Sequence, residues 1–327
     1  MKPKIYKFST SRQGYGGNIY ERYVNDAIRE NFDLEVIDLS FRTKGWFRLL
    51  EFPLYILMLA YHSSFKKGFL IRNFQTSFLP LRKNGGLTIV FHIDETLSPI
   101  GSKVFQKIVE YLFFLFSRKS DPIVVISESW KKYFEGRGFT NVHLIYCPYE
   151  VENYPPDPEL VASMRSRLST GDKPLIYIGN PQPKKGADLV YEALGNKDFD
   201  LVLSGEGSLD LPLPKAKLSF DEYLALLSAC DLVITFSQFL EGWCRVAHEA
   251  VLCGTPVIGS GLGGMRELLE KTNQVECKNP GELKEKVHEI LRNRPQITSE
   301  TQAWARSFTI GKFNQDWKEL INSLAIH

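Results

Sequence analysis

Residues 241–249 read Glu-Gly-Trp-Cys-Arg-Val-Ala-His-Glu. They follow the apolar run Leu232-Val-Ile-Thr-Phe236, which has the composition of a buried strand. They lead into Val246, Ala247, Ala250 and Val251, which share one face at helical spacing, and Gly254, Thr255 and Pro256 end that helix. Glu241 therefore falls in a strand-to-helix loop and Glu249 further along the helix. The first helical turn, placed near Gly242, Trp243 and Cys244, offers backbone N–H groups without internal partners and the positive end of a helix dipole. Both suit a phosphate, and Gly242 lets a ligand approach the backbone. Taken alone, the two glutamates read as a dipole-complementing residue and a solvated helix position.

The residues that follow change this reading. Gly254-Thr-Pro-Val-Ile-Gly259 is a turn and a second buried strand, Gly261-Leu-Gly-Gly264 is a glycine-rich loop, and Met265-Arg-Glu-Leu-Leu269 opens another helix. Two consecutive strand–loop–helix units thus present helix N-termini at one sheet edge, where open α/β sheets bind ligands. This ordered series resembles the nucleotide-sugar half of the retaining glycosyltransferases of family four. Its carriers are Glu241, Glu249, Gly254-Thr-Pro-Val257 and Gly263-Gly264-Met-Arg-Glu267.

The resemblance implies an α/β protein of GT-B fold, with two facing Rossmann-like domains and a cleft between them. It covers residues 171–290 well and 1–150 in outline. The expected division is an acceptor-side domain over 1–150, joined by a C-terminal helix at 311–327, and a nucleotide-sugar domain over 151–310. The crowd of prolines at Pro148, Pro155, Pro156 and Pro158 marks the linker.

The resemblance also assigns roles. Glu241 contacts the sugar and Glu249 the ribose hydroxyls. The loop Asn180-Pro-Gln-Pro-Lys-Lys-Gly186 stands where relatives hold the donor diphosphate with an arginine and a lysine. Lys185-Gly186 is kept, but Asn180 takes the arginine position and brings no charge. Gly205 lies in a turn near the nucleotide, and Leu218, in a short strand over 215–219, lies beside the nucleobase. Gly16-Gly17 matches the glycine pair after the first strand. His92, at the end of the strand Leu87-Thr-Ile-Val-Phe91, matches a histidine that faces the donor sugar, with Asp94 nearby. The catalytic set is thus Glu241, His92 and Lys185. The donor set is Gly16, Gly17, Asn180, Lys185, Gly205, Leu218, Gly242, Trp243, Cys244 and Glu249.

The implied reaction moves a hexosyl group from a UDP- or GDP-linked donor to a glycan, lipid-linked or small-molecule acceptor with retention. The alternatives are a GT-B epimerase, an inverting transferase with Asp94 as base, and an inactive nucleotide-sugar-binding protein. No cofactor is expected. No His/Cys cluster suggests a metal site, and nothing points to nucleic acid.

Composition agrees with two globular domains: 327 residues, 43% hydrophobic and 24% charged. Five scattered cysteines read as reduced, buried thiols, and the N-terminus has no apolar signal core, so a cytoplasmic protein is expected. The net charge of +2 is uneven: residues 1–150 carry 21 Lys+Arg against 14 Asp+Glu, hence +7, and the remainder −5. Two apolar stretches, Trp46–Tyr61 and Val109–Phe116, are followed by Lys66-Lys67 and Arg118-Lys119. Both are too short to span a bilayer. They read either as core helices or as interfacial helices in peripheral contact with a membrane.

Overall fold

The computed structural model describes residues 3–10, 16–40, 48–66, 68–77, 79, 85–93, 100–293 and 295–325. The chain divides into two compact units, Met1–Pro148 with Ile310–His327, and Tyr149–Thr309. Unit 1 begins with β1 (Lys4–Ser9), α1 (Gly16–Asn31), β2 (Asp33–Asp38), α2 (Arg48–Phe65), β3 (Phe69–Asn73) and β4 (Gly86–Val90). It continues with α3 (Ile100–Phe116), β5 (Ile123–Val125), α4 (Glu128–Glu135) and β6 (Val142–Leu144). Unit 2 holds α5 (Pro158–Leu168), β7 (Leu175–Tyr177), α6 (Ala187–Leu194), β8 (Asp200–Ser204), β9 (Lys215–Ala216), α7 (Phe220–Ala229), β10 (Leu232–Thr235) and α8 (Arg245–Leu252). Then come β11 (Val257–Gly259), α9 (Gly264–Lys271), β12 (Val275–Glu276), α10 (Leu283–Asn293) and α11 (Ser299–Arg306). The final helix, α12 (Ile310–Ala325), returns to unit 1.

Each unit is built on a six-stranded sheet, ordered β2-β1-β3-β4-β5-β6 in unit 1 and β12-β11-β10-β7-β8-β9 in unit 2. Every pairing is parallel. Parallel strands are covered on both faces, which is why β3, β4, β5, β7, β10 and β11 are buried at every position.

In unit 1 the chain steps one way from β1 to β2 and the other way for the remaining strands. Right-handed crossovers then put α1 on one face and α2, α3 and α4 on the opposite face. The packing agrees. Tyr20 of α1 meets Phe313 of α12 edge-on at 5.3 Å. Across the sheet, Tyr55 and Leu59 of α2, Val109 and Phe113 of α3, and Trp130 and Phe134 of α4 share one core with Tyr6, Phe8 and Val90. Lys7 points toward α1 and is buried there with Glu21 at 3.1 Å.

In unit 2, α6 and α10 cover one face through Val190, Leu194, Val287 and Ile290. Helices α5, α7 and α8 cover the other. The chain passes from unit 1 to unit 2 at Pro148–Tyr149, the start of the proline-rich stretch, and Asp157 caps α5 of unit 2, accepting from the Glu159 N–H at 2.9 Å. The strand expected over 215–219 is only Lys215–Ala216, since Ser219 is already the N-cap of α7 and bonds the Glu222 N–H. Among the described residues no helix is long and apolar enough to cross a membrane.

Candidate functional site

In unit 2 the strand order reverses between β10 and β7, and the crevice outside the C-terminal ends of these two strands is where such sheets bind ligands. After β7, residues 183–185 make a single 3₁₀ turn closed by Gly186 at φ +70°. A Cβ on Gly186 would lie 2.3 Å from the Phe236 carbonyl oxygen, so only glycine lets this turn dock on the loop after β10. The Gln238 N–H donates to the Lys184 carbonyl at 2.8 Å and completes the seam.

That docking brings Lys185 Nζ to 2.5 Å from Glu241 Oε1, and Ser237 Oγ donates to the same oxygen at 2.5 Å. The Glu241 backbone is fixed from the other side. It makes a parallel bridge to Gly263, donates to the Leu262 carbonyl at 3.3 Å and accepts from the Gly264 N–H at 2.8 Å. Glu241 is 5% exposed. Burial works against the Lys185 ammonium, but the adjacent Glu241 carboxylate outweighs it and raises the pKa. The ammonium is therefore charged at neutral pH. An ammonium has three donors, so Lys185 can bond Glu241 and still meet an anion.

Glu249 is also paired. Arg245 Nη2 lies 2.8 Å from Glu249 Oε1, and Tyr223 Oη donates to Oε2 at 3.0 Å. The Arg245 guanidinium also covers the Tyr149 ring at 4.5 Å. Each glutamate of the segment thus carries its own cation. Sequence reasoning missed Ser237, Tyr223 and Arg245. Only Arg245 left a signal, its i,i+4 spacing to Glu249.

Helix α8 starts at Arg245, with Cys244 as N-cap, and not near Gly242. The reason is Trp243, which is 6% exposed and packs against Trp304 and Phe308. Its Nε1–H donates to His248 Nδ1 at 3.2 Å, so His248 donates from Nε2 to the Ala305 carbonyl at 2.9 Å. The Trp243 side chain is committed to this box, leaving only its backbone to meet a ligand. The first turn thus begins at Arg245, and the His248 N–H already bonds the Cys244 carbonyl. The Cys244 thiol is buried, which pushes it up to about 12, and it serves as a cap residue and not as a nucleophile.

Burial pushes His248 down to about 3 from 6.5. The native state thus refuses a proton that the unfolded chain accepts near pH 6.5. Stability should be complete above that pH and fall as pH drops from about 6.5 to 3, by on the order of 3–5 kcal/mol. Urea unfolding at pH 7.5 and 4.5 checks this: His248→Phe should be less stable at pH 7.5 yet lose less on acidification than the parent.

Asn180 is half-buried, and its Oδ1 accepts from the Gln182 N–H at 3.3 Å, so its side chain closes its own turn. Gly205, at φ +82°, lies beside Asn180 in the neighbouring β8 loop. The adjoining Gly207 has no room for a Cβ, which would sit 2.0 Å from the Pro181 carbonyl oxygen. Leu218 is half-buried just before the α7 cap. Gly16 and Gly17 open α1, and His92 is half-buried two residues past β4; all three belong to unit 1. Asp94 and the loop 11–15 lie outside the described residues. In unit 1, Thr10, Asn73 and Gln75 form an unforeseen polar set where β1 and β3 end. Asn73 Nδ2 donates to Thr10 Oγ1 at 2.8 Å, and Thr10 donates on to Gln75 Oε1 at 3.1 Å. Among the described residues no group of three or more His, Cys, Asp or Glu is placed to hold a metal ion.

Comparison with known proteins agrees with this geometry. Residues 162–306 match the family described as Glycosyl transferases group 1. An uncharacterized glycosyltransferase of Methanocaldococcus jannaschii is 30% identical over 134 residues, which are 36% of this chain and 38% of that protein. A GDP-mannose-dependent alpha-mannosyltransferase of Mycobacterium tuberculosis is 25% identical over 218 residues, 64% of this chain and 57% of that one. The chain thus spans less than two-thirds of either relative's length. The crystal structure of HepE from Anabaena in complex with UDP and glucose superposes with a TM-score of 0.74 at 20% identity, covering 98% of this chain and 100% of that one. The chain has the GT-B fold, and its residues 162–306 resemble the glycosyl transferases group 1 family.

Proposed function

We propose that this chain transfers a hexosyl group from a nucleoside-diphosphate sugar to an acceptor with retention of configuration. The observation that carries the reading is the Lys185–Glu241 pair. It is fixed by Ser237, Gly186 and Gly263 at the switch point of the sheet, beside the first turn of α8. Charge develops on the leaving diphosphate in such a transfer, so a preorganised ammonium and helix N–H groups are the stabilising elements. Glu249 takes the ribose hydroxyls as a further acceptor beside Arg245 and Tyr223. A relative named for GDP-mannose and a neighbour holding UDP support a nucleotide-linked donor.

The second reading is a binding protein without turnover, motivated by Asn180, whose side chain is uncharged and accepts through Oδ1 from its own turn. Thermal unfolding with UDP, GDP, ADP and their sugars tests both. A ligand at a hundred times its Kd stabilises by about 2.7 kcal/mol, a rise of roughly 5–10 °C for a unit of this size. A shift without product in any acceptor screen selects the binding protein, and no shift with any nucleotide overturns both. The one Asp-x-Asp of the sequence, Asp198-Phe-Asp200, lies at the start of β8, away from the crevice, with Asp198 paired to Lys284 at 2.8 Å and Asp200 accepting from the Thr170 N–H at 2.6 Å, so turnover is expected to be unchanged by EDTA; a strict need for added Mg²⁺ or Mn²⁺ refutes that part.

A further inference from the structure

Large apolar side chains that remain exposed are concentrated in one place. Of the twelve among the described residues, ten lie on α2 and α3 of unit 1. On α2, Leu54, Leu57, Tyr61 and Phe65 follow helical spacing and form a stripe opposite Tyr55 and Leu59, which face the core. On α3, Tyr111 and Leu115 lie outward in the same way, opposite Val109 and Phe113. All six outward side chains are more than half exposed. Both helices cover the same face of the sheet, so the two stripes belong to one side of the unit. A monomeric surface rarely keeps so much contiguous apolar area without use.

The charges around the stripes suit an anionic surface. Each helix carries one carboxylate, and neither lies on a stripe: Glu51 is half-buried on α2, and Glu110 on α3 accepts from Tyr133 of α4 at 3.1 Å. Lys66 after α2 is paired with Glu35 at 2.6 Å and Arg118 after α3 with Asp121 at 3.0 Å, while Lys119 after α3 and Lys132 on α4 are exposed. Both helices run against the strands, so the cations after α2 and after α3 lie at the same edge of the sheet. Residues 1–150 carry a net +7, so a second copy of the chain docked on this face would meet like charge. Apolar stripes containing Leu, Phe and Tyr with a cationic rim are the make-up of an interfacial membrane helix.

We infer that the α2–α3 face of unit 1 docks on an anionic lipid membrane, lying in the headgroup layer without spanning it. The inference concerns the surface alone and is tested without nucleotide or acceptor, so it stands or falls separately from the proposed transfer.

The test is flotation of the full chain with phosphatidylcholine vesicles, with and without phosphatidylglycerol, at low and high salt. The parent should float with the anionic vesicles at low salt and less at high salt. Leu54→Glu/Leu57→Glu/Leu115→Glu, at exposed positions, should melt at the parent temperature and float at least ~10-fold less. Lys119→Glu/Lys132→Glu should weaken flotation at low salt and change little at high salt. Three results overturn the inference. The parent does not float at low salt; the triple variant floats like the parent; or the parent is a dimer that the triple variant dissociates, with neither binding vesicles.

Discussion

Lys185→Ala is expected to lower kcat/KM with the donor at least a hundredfold, the ~3 kcal/mol typical of losing one oriented group in a preorganised site. Asn180 brings no charge and closes its own turn, so Lys185 carries most of the electrostatic load on the diphosphate. The structure adds a complication. Removing the ammonium leaves Glu241 buried with Ser237 still donating to it, and a buried carboxylate that has lost its cation is itself destabilising. Lost activity could then reflect a displaced loop. Lys185→Ala/Glu241→Gln separates the two effects, since a neutral amide can accept from Ser237 without a cation. The double variant should regain the stability that Lys185→Ala loses and regain none of the rate. Full turnover by a folded Lys185→Ala protein would remove the crevice from consideration as the donor site. Because Glu241 raises the Lys185 pKa above 10.5, the ammonium stays charged below that pH, and no loss of rate between about pH 7 and 10 should trace to it.

Gly263→Ala should be among the most damaging single-methyl additions in unit 2, at about 2–5 kcal/mol. The cost has two sources. Gly263 sits at φ +66°, where a side chain costs roughly 1–2 kcal/mol. The new Cβ would also stand 2.3 Å from the Glu241 carbonyl oxygen and 2.8 Å from its nitrogen, and backbone on both sides cannot yield cheaply. Gly254→Ala is the internal control. Its φ is +82°, but the nearest atom to a Cβ is the end of the Gln302 side chain at 4.0 Å, so only the conformational cost applies. Urea unfolding of both proteins checks the difference; equal losses would mean that the β11 loop moves away from Glu241 easily. If Gly263→Ala folds, its donor affinity should fall as well, because the bridge that holds Glu241 is the part displaced.

The period and chemistry of the residues alone determined much of this protein. Strands such as Leu232–Thr235 and Val257–Gly259 are short, wholly apolar and bounded by turn residues, so they could only be buried parallel strands. The ordered series from Glu241 to Glu267 was enough to mark the crevice at their ends. The glycines of that series were legible because backbone geometry demands them locally.

What the sequence could not supply is what comes together from far apart. The helix after Glu241 begins at Arg245 because Trp243 is drawn into a box with Trp304 and Phe308, some sixty residues on, and no local propensity records that contact. Ser237 becomes a donor to Glu241 only because the loop turns back on itself, and Tyr223 reaches Glu249 from another helix. The apolar run on α2 was compatible with a core helix and with an interfacial one. Both faces of that helix are apolar, and only packing on the sheet decides that Tyr55 and Leu59 are inside while Leu54, Leu57 and Tyr61 are left outside. Burial is a property of the assembled layers, so one-dimensional periodicity could name the two stripes but not say which of them faces water.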